Sequence, residues 1–275
     1  MELLALREDA TKLLQVTWWI IGGIFLVRYL FLPWWIYIHT RLRAQPVVEL
    51  IDWQHYPLPI AFRERIERVG RDLQALGFLP QLAYLVNFNY GYGDVASFRF
   101  VHPETQDNAE ISGILAATNA GTNLRGMFFS FGSRFALREQ PILRTSNLDS
   151  ILNFGYRPND SIHAFPHITQ VSKLLELHKL LQNRHFPNTP RYIDPNGESP
   201  DNFVRYAHEI YRKMVESWVM TRRVERVANE TDCRYRVIAI YQLCWGSWLP
   251  FKPFVKWFRY QKSRRREQEL RRHTG

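Results

Sequence analysis

The sequence predicts an α+β protein with an N-terminal transmembrane helix, followed by an antiparallel β-meander of four to six strands that one N-terminal and two C-terminal helices cover. Three observations predict it: an apolar run from Val16 to Ile38 with one charge, period-two alternation of apolar residues between Leu82 and Phe131, and helical periodicity on either side of that alternation. The chain divides accordingly into a tail (1–15), a membrane helix (16–38), a connector (39–59), an α+β domain (60–236), an aromatic and basic segment (237–260) and a basic tail (261–275).

The run from Val16 to Ile38 exceeds the roughly 20 residues that carry a helix across a bilayer. Its tryptophan pairs, Trp18 with Trp19 and Trp34 with Trp35, are spaced by about 24 Å at a rise of about 1.5 Å per residue, the separation of two interfacial aromatic belts. Arg28 near mid-span costs about 2.5–3.5 kcal/mol on insertion scales, which the apolar neighbours offset. Its length, its aromatic end and the lack of a small-x-small site distinguish the run from a cleaved signal peptide. A buried core helix is the structural alternative. Charges flanking the run are nearly symmetric, with Arg7 and Lys12 before it and Arg41 and Arg43 after it. The basic C-terminus therefore decides the orientation: it suits the anionic cytoplasmic leaflet, and two cysteines, Cys233 and Cys244, without metal or disulfide spacing suit a reducing compartment.

In the connector, Pro46, Pro57 and Pro59 preclude a long helix. Phe62, Ile66, Val69, Leu73 and Leu76 then follow a helical period that Gly77 stops. Alternation takes over at Leu82, Tyr84, Val86 and Phe88, returns at Ala96, Phe98 and Phe100, and again at Met127, Phe129 and Phe131. Turn-forming Gly, Asn, Asp and Pro separate these runs, so Tyr90–Asp94 reads as a hairpin turn rather than a phosphate cradle. Helical periodicity resumes over 169–183, through Val171, Leu174, Leu175, His178 and Leu181, and over 201–228, through Phe203, Ala207, Ile210, Met214, Trp218 and Val224.

The net charge of +10 is concentrated: between Lys252 and Arg272 lie nine basic and two acidic residues. That distribution argues against a nucleic-acid surface on the folded part. Trp245, Trp248, Lys252, Lys256, Trp257 and Arg259, continued by Arg264, Arg265 and Arg266, form instead a segment suited to anionic lipid headgroups, with rings inward and cations at phosphates; completion of the core by the rings is the alternative.

No nucleotide-binding, nucleophile-elbow or zinc motif occurs, and no cofactor is expected. Asp160, His163, His167 and His178 are the residues from which a metal-dependent site would be assembled, because imidazoles and a carboxylate within twenty residues suit a divalent ion; Pro166 keeps His163 and His167 off one helical face, and packing is the plainer reading of His178. Arg134, Arg138 and Arg144 share strand parity, unless a bulge at Pro141 intervenes, and would form an anion-receiving patch if they share a face; a solvated strand face is the plainer reading. The reading favoured is a membrane-anchored interaction or scaffold protein with a protein partner and a cytoplasmic domain. Its alternatives are a metal enzyme built on the histidine cluster and a carrier of lipid or another apolar ligand.

Overall fold

A computed structural model of the chain describes residues 2–39, 42–89, 93–118, 121–137, 141–148, 160–192, 200–222, 224–227, 232–240 and 251–272. Helix α1 (Glu2–Leu26) passes through one wide turn at Val27–Phe31 into α2 (Leu32–His39). Pro33 accounts for that turn. It has no N–H, and its ring would collide with the carbonyl four residues back, so the turn before it widens until the Leu32 N–H reaches Val27 O, five residues back. From Lys12 to His39 the 28 residues are long and apolar enough to cross a membrane, and little of this span is buried. Trp19 is 81% exposed, so the helix is not wrapped inside the domain as a core helix would be.

Trp35 makes polar as well as aromatic contacts within its own helix. Its ring stacks on His39 at 3.8 Å, and the His39 Nδ1–H donates to Trp35 O (2.9 Å), because residues four apart share one helix face. Trp34, on the neighbouring face, meets Phe31 instead, at 5.9 Å. Trp35 is therefore tied to the polar end of the helix. This end touches the domain where the Tyr37 hydroxyl donates to Glu225 (3.4 Å) and Arg234 lies over the Tyr37 ring.

Among the described residues nine strands form one sheet: β1 (Leu42–Leu50), β2 (Leu79–Asn89), β3 (Gly93–Val101), β4 (Asn108–Thr118), β5 (Gly121–Arg134), β6 (Ile142–Ser146), β7 (Ser161–Ala164), β8 (Val224–Arg226) and β9 (Asp232–Tyr235), in the order β7-β6-β5-β4-β3-β2-β1-β9-β8. β1 to β7 are its body, and the β8–β9 hairpin extends it through the pairs Leu42/Cys233 and Arg43/Asp232. The sheet is therefore larger than the expected four to six strands, and it is mixed rather than an antiparallel meander, because β7 runs parallel to β6 and a C-terminal hairpin joins beyond β1.

Three local features produce the difference. β1 arises within the expected connector, where Pro46 is tolerated because it falls in the stretch, between Leu42 and Val47, at which the register to β2 shifts. The last expected helix, to Ala228, ends instead at Met220. There Arg222 takes φ 56°, its N–H donates to Val219 O, and the Thr221 hydroxyl donates to Ser217 O, which closes the helix and turns the chain into β8. β7 forms inside the segment that sequence reading left to the histidine cluster.

The helices take opposite faces. α3 (Ile60–Ala75) and α4 (Val171–His185) bury Phe62, Leu73, Leu174 and Leu181 against Ala96, Phe98, Ile111, Phe129 and Phe131. Gly77, at φ 88°, supplies the left-handed residue that ends α3. Gly113 lets α3 approach β4, since a Cβ there would lie 2.6 Å from the Phe62 ring. α5 (Pro200–Met220) packs on the other face, where Phe203 and Ala207 meet Val48, Tyr84 and Val86. Leu82, Tyr84 and Val86 thus point away from the face that Phe98 and Phe129 line. Helix α6 (Phe251–Arg272) spans the boundary expected at residue 260, and its Leu270 enters the α3/α4 core.

Candidate functional site

The structure separates the residues from which a metal site was assembled. The Asp160 carboxylate accepts the Ile142 N–H (3.1 Å) where β6 begins. His163, on β7, is buried, shares a hydrogen bond of 2.7 Å between Nε2 and the Ser161 hydroxyl, and is pushed down to about 3 by burial and then by Arg266 and His185. His167 is held by α6, with Nε2 at 2.7 Å from Glu267 and Nδ1 at 2.8 Å from Ser263. Among the described residues no three His, Cys, Asp or Glu side chains are grouped to hold a metal ion.

His178 belongs to a buried polar network. The Ser133 hydroxyl donates to Asp107, Gln182 Nε2 donates to Asp107 Oδ1 (3.1 Å) and Ser133 Oγ (2.6 Å), and Arg191 Nε donates to Asp107 Oδ1 (3.1 Å). With the Ser133 proton committed to Asp107, His178 Nε2–H is the donor to Ser133 Oγ (2.8 Å), and Nδ1 accepts from the Thr145 hydroxyl (2.9 Å). Burial pushes His178 down to about 4, against the opposing charge of Asp107, and keeps the imidazole neutral. The carboxylate here sits on the hydroxyl and not on the imidazole, and Ser133 and His178 are wholly buried. This order is that of a structural network, not of a Ser-His-Asp nucleophile.

Chemistry gathers instead under α5, on the other parity of the central strands. Tyr84 (β2), Arg99 (β3), Asn108 and Glu110 (β4), Ser130 and Arg134 (β5) and Arg144 (β6) face Phe203, Tyr206, Ile210 and Tyr211 of α5 across a cavity of about 90 Å³. Strand register assembles them: Arg99 is opposite Glu110, Glu110 opposite Ser130, and Gly132 opposite both Asn108 and Arg144. Gly132 keeps the centre open, for a Cβ there would have nothing within 4 Å.

Glu110 organises the group by pairing with Arg144 and accepting the Tyr84 hydroxyl (3.1 Å). Burial, reinforced by the Glu110 charge, raises the Tyr84 pKa, so the phenol stays protonated as a donor. Arg99 donates to Asn108 Oδ1 (2.5 Å) and lies 5.1 Å from the Phe203 ring centroid; Arg134 stacks on Tyr206 at 3.6 Å. Among the described lining residues three guanidiniums thus face one carboxylate. A second hollow of about 580 Å³ lies between α3 and β2, bordered by Ile51, Trp53, Ile66 and Phe100.

The shared parity of Arg134 and Arg144 anticipated part of the arginine site, while Arg138 lies outside the described residues. Arg99, Glu110 and Gly132 were missed. Their signal was available as polar residues recurring between apolar ones on strands that a long amphipathic helix would cover. The expected anchor residues Trp18, Trp19, Arg28, Trp34 and Trp35 all fall within the apolar span Lys12–His39, and the four tryptophans are exposed, Trp35 with one face covered by His39. Of the surface residues expected at the membrane, Trp245 and Trp248 lie outside the described residues, and Lys252 is described in backbone only. Lys256, Trp257, Arg259, Arg264, Arg265 and Arg266 all lie on α6. Comparison with protein-family models, with curated proteins and with solved structures gives no match.

Proposed function

We propose that the chain is a single-pass membrane protein whose α+β domain lies on the cytoplasmic side and serves as an interaction module for a protein partner. The observation that carries this reading is the helix Lys12–His39, apolar, long enough to span and left exposed along nearly its whole length by its own fold. Water is a poor solvent for such a surface, and lipid is a good one. Arg28 sits in the wide turn before Pro33, and its long stem lets the guanidinium reach towards headgroups.

Helix α6 supports the same arrangement. Ser263 and Leu270 are buried against the domain, whereas Phe254, Trp257 and Phe258, on the opposite side of the helix at 3.6 residues per turn, are 64%, 56% and 64% exposed. Lys256, Lys262, Arg264 and Arg265 flank these rings, a composition that suits an anionic headgroup layer. Carbonate extraction at alkaline pH tests the anchor: the protein is expected to stay with the membrane, and release of intact chain would refute the reading. Protease added to membrane vesicles with the cytoplasmic face outward is expected to remove the domain. Capture in mild detergent is then the route to the partner.

A second reading, an apolar-ligand carrier, rests on the larger hollow beside α3, since its bordering residues are mainly apolar and its volume falls within the roughly 300–1,000 Å³ of small-molecule sites. Co-purifying lipid lost on Ile66→Trp would favour that reading.

A further inference from the structure

We propose that the end of the domain at which the anchor enters is itself seated on the membrane: Met220, Val237 and Ile238 dip into the interface of the anchor's own bilayer, and Arg222 and Arg236 meet its anionic headgroups. This inference rests on the anchor reading above and adds a second attachment to it.

Register brings the pieces together. β1 begins at Leu42, opposite Cys233, and runs antiparallel to β9, so the chain arriving from α2 enters the sheet at the end where β9 finishes with Tyr235. β8 begins at that same end, because Val224 is opposite Tyr235. The turn from α5 into β8 and the helical turn at 237–240 that follows β9 therefore flank the point of entry. Tyr37, near the end of the apolar span, ties the anchor to this place through Glu225 and Arg234. Whatever is exposed here lies beside the headgroup layer.

The exposed residues suit that layer. Met220 is 71% and Ile238 73% exposed, and Val237 is exposed as well, although Ala239 and Ile240 of the same helical turn are buried. Single exposed apolar residues are ordinary, but three around the foot of an apolar helix extend its surface. Cations frame them. Arg222 is exposed and has no acidic partner among the described residues; Arg236 is exposed, with its Nε 3.9 Å from Glu225. That carboxylate is shared, since it also accepts from Tyr37 and from Arg234. Apolar side chains at the acyl boundary with arginines at the level of the phosphates make a surface that lies in the interface. Its occupant is the bilayer that holds the anchor, because the tether presents the surface to that bilayer at high effective concentration.

The test uses the full chain in nanodiscs of phosphatidylcholine, alone or with phosphatidylserine, followed by hydrogen exchange. Amides of 237–239 lie in a first helical turn, where N–H groups lack helical partners, and are expected to exchange about fivefold more slowly in the anionic discs. Amides of α4 exchange alike in both. Raised salt is expected to shrink the difference, and Arg222→Gly combined with Arg236→Gln to abolish it. The fold is kept in that variant, because φ 56° at position 222 favours glycine and Arg236 is exposed. Ile238→Ser is expected to speed exchange of 237–239 in both kinds of disc, whereas Arg68→Gln, at an exposed position of α3, leaves the lipid difference unchanged.

Discs that fail to retain the chain would refute the anchor and this surface with it. Retained chain that exchanges equally in both lipids, or a difference that survives in the double arginine variant, would overturn this surface alone.

Discussion

The two faces of the central sheet use alternate residues of the same strands for opposite ends. On the α3/α4 face, Phe98, Ile111, Phe129 and Phe131 are buried with Phe62 and Leu174, and rings meet edge-on, as Phe62 and Phe98 do at 5.8 Å. On the α5 face, Ser97, Arg99, Glu110, Ser112, Ser130 and Arg144 occupy the intervening positions, and a cavity remains. Ser97 and Ser112 hydrogen-bond each other at 2.8 Å in a place where apolar side chains would pack at no polar cost. One face therefore supplies stability and the other gives some of it up. Because side chains of a strand alternate, a substitution can change either face with little direct effect on its opposite.

The comparison is broken most severely by Phe131→Ala, which empties a wholly buried ring site of the packed face. Chemical denaturation is expected to show a loss of about 3–5 kcal/mol. Ser130→Ala, the next residue along but on the α5 face, removes only a hydroxyl beside the cavity and is expected to cost at most about 1 kcal/mol. Equal losses would mean that the two faces are equally packed.

A second contrast uses pH. His178 and His163, both behind the packed face, are held below the ordinary histidine value, at about 4 and about 3. The unfolded chain therefore binds more protons between those values and about 6.5, so the stability from keeping these rings neutral is complete above about pH 6.5 and is lost as pH falls towards 4 and below. For His178 alone the loss at pH 5 is about 2 kcal/mol. In His178→Gln, the denaturation midpoint should fall less steeply from pH 7 to pH 5; an unchanged slope would place the pH dependence elsewhere.

Glycines give the third contrast, and a smaller one. Gly113→Ala drives a methyl to 2.6 Å from the immobile Phe62 ring and is expected to cost about 1–3 kcal/mol. Gly132→Ala meets open space and should change stability by less than about 0.5 kcal/mol. A comparable loss in both would show that strand geometry, not the neighbouring face, decides the cost.

These pairs also show what was legible in the sequence. Alternation at Phe98/Phe100 and Phe129/Phe131 placed those residues on one side of a strand, but parity along a strand does not say which side faces which helix. Tyr84 and Val86, alternating just as regularly, turned out to line the opposite face. β1 was obscured because Pro46 is a strand breaker everywhere except at an interruption of register, and register is set by a partner strand far along the chain. The arginine site was half visible for the same reason. Arg134 and Arg144 share parity within one stretch, whereas Arg99 and Glu110 join them only through pairing across β3, β4, β5 and β6. The histidines are near in sequence but not in space: Pro166 and the start of α4 send them to three separate surroundings, and His178 is packed, as its place on an apolar stripe suggests.

The smallest effect sharpens the division of labour within α6, whose C-terminal half is latched to the packed face while its aromatic half stays free. Arg271 forks onto Glu176 at 2.6 and 3.2 Å and also reaches Glu267 at 3.0 Å, but these groups are substantially exposed. Arg271→Ala should therefore lower global stability by at most about 1 kcal/mol, in the range of surface ion pairs. Hydrogen exchange is the more sensitive measure: amides of residues 263–272 are expected to exchange faster, and those of α4 to remain protected, because local opening of a terminal helix need not involve the core. Raising the salt concentration in the native protein should reproduce part of that change, since the latch is electrostatic at its rim. If neither treatment alters exchange in α6, the buried Leu270 and the contacts of Ser263 and Glu267 with His167 hold the helix without help from Arg271.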